Sequence, residues 1–194
     1  TLTGCGGSKT TAKAEADYTI VVGMPAAVKN LDPAMHRDRN TETVIRNMFD
    51  GLVTRTPKME IVPEIAESWD SVSPTEWIFR IRKGVTFHNG EALTADDVVF
   101  TYERILKEGG VGGQSSPRKG LLGPLTEVVK VDDYTVKFIL SAPWPVFLAM
   151  MPHQQIVPKD YITEKGDAYF AEHPVGAGPF QFVSGNLSEE IVME

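Results

Sequence analysis

Residues 77–106, WIFRIRKGVTFHNGEALTADDVVFTYERIL, change their apolar period part-way along, from that of a strand to that of a helix. Trp77, Phe79 and Ile81 alternate with Ile78, Arg80 and Arg82, which gives one apolar face and one mostly charged face, as on a half-covered strand. Lys83-Gly84 reads as a turn, and Val85-Thr86-Phe87 resumes the strand habit. Asn89-Gly90 is a second turn, since both residues tolerate positive φ. Thr94 then predicts a helix N-cap. Asp96 and Asp97 fall in the first turn, where carboxylates meet free N–H groups and the positive end of the helix dipole. Asp97 stands three residues after Thr94, the spacing of a capping box with Asp in place of Glu. Val98, Val99, Tyr102, Ile105 and Leu106 form the stripe that such a helix buries.

A chain of 194 residues has room for one or two small domains with a core of their own. Its net charge of −7 argues against a nucleic-acid partner. No window reaches the apolar length needed to cross a bilayer. With one cysteine, Cys5, neither an internal disulfide nor a cysteine-based zinc site is open to it. No G-x-S-x-G, phosphate-cradling Walker loop or H-E-x-x-H is present. Gly109-Gly110-Val111-Gly112-Gly113 lacks the strand–helix setting and the Lys-Ser/Thr ending of a nucleotide loop. His36, His88, His153 and His173 are scattered without metal-ligand spacing. No catalytic residue, no metal and no cofactor is expected.

The remaining chain reads as follows. Residues 1–16 are small and polar, a linker. Residues 18–23 are nearly all apolar and predict a strand covered on both faces. Pro25 and Pro33 bound an irregular stretch. Thr41 is placed as the cap of a helix whose stripe is Val44, Ile45, Met48, Phe49 and Leu52. Residues 109–123 read as a surface loop. Residues 128–131 and Thr135–Leu140 predict a hairpin around Asp132-Asp133. Pro143-Trp144-Pro145 opens a short helix over 146–151, and another near Lys159–Lys165 is stopped by Gly166. Residues 180–183 and Ile191–Met193 read as strands.

Four motifs carry a resemblance: Leu31-Asp32-Pro33; Phe49-Asp50-Gly51-Leu52-Val53; Ala66-Glu67-Ser68-Trp69 followed by the segment described first; and Val175-Gly176-Ala177-Gly178-Pro179-Phe180, similar to a V-G-T-G-P-F turn. In this order they resemble the family 5 extracellular solute-binding proteins, the receptors of peptide, nickel and related ABC importers. The resemblance implies an α/β (mixed α+β) fold, a periplasmic-binding-protein-like type II cluster C lobe with an inserted β-rich subdomain. It covers only the N-terminal part of the family fold, with the second lobe missing. The implied boundaries are a linker over 1–16, the first part of lobe I over 17–53, an inserted subdomain over 54–156 and a return to lobe I over 157–194. The implied function is non-catalytic: binding a peptide or similar small solute between two lobes and delivering it to ABC permease subunits. The rival reading is a truncated or short relative that serves as an interaction or sensory module without transport. Leu2-Thr3-Gly4-Cys5 resembles a bacterial lipobox, which would place a lipid on Cys5 and the protein in the periplasm or on the outer face of the cytoplasmic membrane. The alternative is a chance cysteine in a tail.

The binding candidates are His36, Arg37, Arg39 and Asn40 in the loop after Leu31-Asp32-Pro33, then Trp144, His153, Gln154, Gly178 and Phe180. In peptide-binding relatives that first loop can carry an acid that pairs with the ligand's amino terminus. Arg37 stands at the comparable place here, which favours a ligand offering a carboxylate or another acceptor. Two alternatives remain open: Arg37 and Arg39 as solvated charges paired with Asp38 or Glu42, and Trp144 as a structural plug.

Overall fold

The computed structural model describes residues 18–194. The expectations for the linker and for Cys5 lie outside the described residues. The chain enters in an irregular extended path, and the strand expected over 18–23 is not formed. Tyr18, Ile20 and Val21 are 85–90% exposed. An apolar run becomes a strand only beside another strand, and none of the described ones pairs with it. A 3-10 turn, Pro33–Met35, follows, capped by Asp32, whose Oδ1 accepts from the Ala34 N–H at 2.8 Å.

Helix α1 spans Arg39–Met48. Its N-cap is Asp38 rather than Thr41: Asp38 Oδ1 accepts from the Thr41 N–H at 2.9 Å. Thr41 sits one turn inside, and its Oγ1 accepts from the Lys29 N–H at 3.0 Å. Both residue types cap well, and the choice between them depends on where the preceding loop leaves the chain. Strands β1 (Val53–Arg55) and β2 (Ile61–Pro63) form an antiparallel pair. Then come β3 (Ala66–Ser73) and β4 (Glu76–Ile81). Where 85–87 was read as strand, only a single bridge, Thr86 to Ala92, is made. Gly90 holds φ +85°, as the Asn-Gly turn requires.

Helix α2 spans Ala95–Leu106 and carries the capping box in full. Asp97 Oδ2 accepts from the Thr94 N–H at 2.9 Å, and Thr94 Oγ1 accepts from the Asp96 N–H at 3.3 Å. Strands β5 (Leu125–Asp132) and β6 (Thr135–Leu140) complete an antiparallel sheet of order β3-β4-β6-β5. The register sets Trp77 opposite Phe138 and Phe79 opposite Val136. α2 lies against β5 and β6, and the Tyr102 ring meets Phe138 edge-on at 4.8 Å. The helix expected over 146–151 is one turn, α3 (Phe147–Met150), running into a 3-10 turn, Met151–His153, that contains Pro152. Helices α4 (Lys159–Lys165) and α5 (Asp167–Glu172) meet at Gly166. Strands β7 (Phe182–Gly185) and β8 (Ile191–Met193) pair at the end.

The buried apolar residues fall into two clusters. One joins the sheet, α2 and α3, around Phe79, Tyr102, Phe138 and Phe147. The other gathers Val28, Leu31, Val44, Ile45, Met48 and Phe49 with Val157, Ile162 and Phe170. The second therefore joins two stretches far apart in sequence. The Gly176–Gly178 turn is pressed onto α1: Gly178 N–H donates to Met48 O at 2.9 Å, and a Cβ on Gly176 would lie 1.9 Å from the same oxygen. Glycine is required there by contact, not by φ. His88 locks the turn from the other side. Its Nδ1 accepts from Gly176 N–H at 3.3 Å, so Nε2 carries the proton and donates to Gly178 O at 2.9 Å.

Candidate functional site

The loop 36–38, the start of α1, residues 118–121 and His153 form an open recess of about 270 Å³ lined by Arg37, Asp38, Arg39, Glu42, Arg118, Leu121 and His153. Three separate stretches build it, and one side chain ties them together. Arg118 is 2% exposed although it belongs to the Gly-rich segment read as a surface loop. Its Nε donates to His36 O at 3.1 Å, its Nη2 to His36 Nε2 at 2.7 Å, and its Nη1 to His153 O. Nη2 also pairs with the Glu42 carboxylate. Ser116, from the same segment, donates its hydroxyl to Ala34 O at 2.5 Å. The 3-10 turn Lys119–Leu122 then brings Leu121 to the cavity.

This geometry fixes the charges. Burial, then the Arg118 guanidinium, lowers the His36 pKa to about 4, so the ring is neutral at pH 7. Since Nε2 accepts from Arg118, the proton sits on Nδ1. The 3.7 Å approach of His36 to Glu42 is then not an ion pair. Burial lowers the His153 pKa as well. Glu42 is used on both oxygens, Oε2 by Arg118 and Oε1 by the Gln155 amide at 3.3 Å. Asp38 gives Oδ1 to the helix cap, and its Oδ2 is enclosed. Arg37 and Arg39 are exposed, and among the described residues neither side chain has an ion pair or hydrogen bond. The expected pairing with Asp38 or Glu42 is not made, because Arg118 has taken Glu42.

Of the candidates read from sequence, the fold brings Arg37, Arg39 and His153 to the cavity wall. His36 is 2% exposed and stands behind that wall as a partner of Arg118. Asn40 does not line the cavity; its side-chain oxygen and nitrogen make no bond within α1. Gln154 is 1% exposed, and its amide oxygen and nitrogen have no protein partner. Trp144 is a plug: it packs on the sheet core and lies against Gly123, where a Cβ would come within 2.7 Å of its ring. Gly178 is committed to Met48. Phe180 is 46% exposed, and its N–H donates to Asn47 O at 2.9 Å, away from the cavity. Sequence reasoning missed Arg118 and considered Glu42 only as a partner of Arg37 or Arg39. Arg118, flanked by glycines and prolines, has no local signal, because its partners lie 35 to 82 residues away.

A second recess of about 250 Å³ is lined by His88, Tyr161, Tyr169, His173 and Phe182 among others. Tyr169 and His173 stack there at 4.1 Å. Among the described residues no group of His, Cys, Asp and Glu is placed to hold a metal ion, and no helix is long and apolar enough to cross a membrane.

Residues 60–194 match the family model described as bacterial extracellular solute-binding proteins, family 5 Middle. The chain belongs to this family. Among relatives in sequence, protein YhjP of Bacillus subtilis (strain 168) is 36% identical over 120 residues, covering 61% of this chain and 20% of that protein. The HTH-type transcriptional regulator SgrR of Pectobacterium atrosepticum is 27% identical over 165 residues, covering 84% of this chain and 27% of its own. In structure, the periplasmic binding protein DppA from Helicobacter pylori, solved in complex with the peptide STSA, superimposes with a TM-score of 0.77 at 32% identity, over 87% of this chain and 37% of that one. This family 5 chain thus spans between a fifth and somewhat over a third of the relatives it matches.

Proposed function

We propose that this chain contributes one wall of a solute site in an ABC-importer binding protein for peptides or similar small solutes, acting without catalysis. The observation that carries the reading is an open recess edged by charged side chains on a fold shared with a peptide-bound binding protein. Such sites enclose most of a ligand's surface, so a second wall is needed, and the closed form would dock on a membrane permease. The proposed division into a first lobe over 17–53 and 157–194 and an inserted subdomain over 54–156 is supported by the two apolar clusters. The buried members of one come from residues 28–49 and 157–170, with Phe100 of the inserted stretch packed against them, and those of the other mostly from residues 52–156. A location in the periplasm or on the outer face of the cytoplasmic membrane, with Cys5 as lipid anchor, rests on Leu2-Thr3-Gly4-Cys5.

The test is calorimetry of the protein, expressed from its whole reading frame, against short peptides. Saturable one-to-one binding is expected. Absence of binding to every peptide, with retained folding, overturns the reading. Similarity to SgrR favours a second reading, a sensory module without transport. Co-purification with a permease separates the two. For the anchor, Cys5→Ser in the full precursor is expected to move the protein from the membrane to the soluble fraction; retention in the membrane rejects the assignment.

A further inference from the structure

We infer that Arg104 and Asp167 are positioning residues for the recess: they clamp residues 112–118 of the Gly-rich segment as a strap and so hold Arg118 in the recess wall. The clamp stands on its own geometry. That the recess takes a solute is the reading proposed above, and the test of the clamp reads no solute.

The segment 109–118 forms no strand or helix of its own, yet it brings Arg118 to the recess. Fixing such a path costs conformational entropy, so contacts outside the segment must hold it. Arg104, on α2, is 5% exposed and stands between the Phe100 and Phe170 rings, 5.6 and 5.9 Å from their centroids. Two carboxylates share its Nη2, Asp32 Oδ2 at 2.6 Å and Asp167 Oδ1. Each carboxylate gives its other oxygen to a backbone N–H. Asp32 Oδ1 holds Ala34, and Asp167 Oδ2 accepts from the Gly112 N–H at 2.8 Å. The Ala34 carbonyl accepts from the Ser116 hydroxyl, and that hydroxyl oxygen accepts from the Arg118 N–H at 3.1 Å. The strap is therefore fastened at Gly112 and at Ser116, and both fastenings trace back to one guanidinium. Beside the first, Val111 is buried in the sheet cluster; two residues past the second stands Arg118. Gly112 holds φ +57°, which glycine adopts without strain. The glycines that make no nucleotide loop thus serve a strap. The two fastenings differ in depth: the Asp32 side chain is 1% exposed and that of Asp167 26%. Asp167 is the part of the clamp that can be loosened while the core stays packed.

Amide exchange resolved by residue, on the protein expressed from its whole reading frame, tests the clamp. Gly113 is an internal control, since its N–H makes no hydrogen bond among the described residues. Corrected for neighbouring side chains, the Gly112 N–H is expected to exchange at least about tenfold slower than the Gly113 N–H. Equal rates overturn the latch. Asp167→Asn keeps one oxygen for Arg104 and sets an NH2 where Gly112 needs an acceptor; the flipped amide would face a donor to the guanidinium. In that variant Gly112 exchange is expected to rise at least about tenfold, while the β5–β6 amides keep their parent rates. The Arg118 Nε–Hε nuclear resonance is expected to move, because Nε donates to His36 O in the recess wall. Unchanged Gly112 exchange overturns the inference. So does a freed Gly112 with an unmoved Arg118 resonance, and so does an equal rise across the β5–β6 amides, which marks general destabilisation. Should the variant not fold, the comparison of Gly112 with Gly113 in the parent still decides the latch.

Discussion

Arg118 concentrates most of what a single residue does in this structure. It is a buried cation with one carboxylate partner and three other acceptors. Replacing it with Ala leaves Glu42 short of its counter-ion, a change that costs about 3–5 kcal/mol in buried pairs. Glu42 keeps 19% side-chain exposure, so the lower end is expected. Urea unfolding measures the loss. Arg118→Met combined with Glu42→Leu should be milder than the sum of the single changes, because neither charge is then stranded. Gly176 makes a contrasting case. Gly176→Ala drives a methyl into Met48 O and is expected to cost at least about 1–3 kcal/mol, with the 176–178 turn displaced from α1.

At the scale of elements, Asp97 does more than its place in the capping box announces. Oδ2 closes the box on Thr94, while Oδ1 accepts from the Lys159 N–H at 2.9 Å and so fastens α2 to the start of α4. Thr94→Ala should cost about 1 kcal/mol, as cap losses do. Asp97→Ala should cost more, because two N–H groups lose their acceptor at once, around a residue only 7% exposed. Thermal unfolding of the two variants checks the order. The box was legible because both of its members lie within one turn of sequence. The β5–β6 hairpin and the end of α4 at Gly166 were legible for the same reason. Thr41 misled because Asp38 is an equally good cap three residues earlier. Residues 18–23 misled because apolar content states what a strand is made of, not whether a neighbour exists. The bond from Asp97 to Lys159 spans 62 residues and leaves no local mark.

For the whole molecule, the half-buried Asp50 and the buried His36 pull the pH dependence in opposite directions. Burial, reinforced by the Glu64 carboxylate, raises the Asp50 pKa to about 6 from 3.8. The folded chain then holds that proton more tightly than the unfolded one, so this contribution falls as pH rises from about 4 to about 6 and is flat above. His36 is lowered to about 4 from 6.5, so the unfolded chain takes up its proton first, and stability falls as pH drops through that window. Asp50→Asn should therefore gain on the parent as pH is raised from 4 to 6, and His36→Gln should gain on it as pH is lowered from 6.5 to 4. Urea midpoints at matched ionic strength read both trends. The sequence made the family legible at this scale. It did not show that the His36 imidazole is neutral or that Glu42 is taken, because those facts belong to contacts between distant stretches.

The tie made by Arg118 also sets an order of events in time. Its partners stand 82, 76 and 35 residues away along the chain, whereas α2 and the β5–β6 hairpin need only near neighbours. Closing long loops costs entropy before any contact rewards it, so local elements lead and distant ties follow. Conservative replacement of Arg118, as in Arg118→Lys, should hasten unfolding and leave the refolding rate nearly unchanged, a φ-value near zero in stopped-flow chevrons. A refolding chain would then regain its tryptophan signal from the sheet while the recess joined by Arg118 is still in pieces. Anything that interrupts it at that stage would leave a molecule with native helices and strands but without that recess.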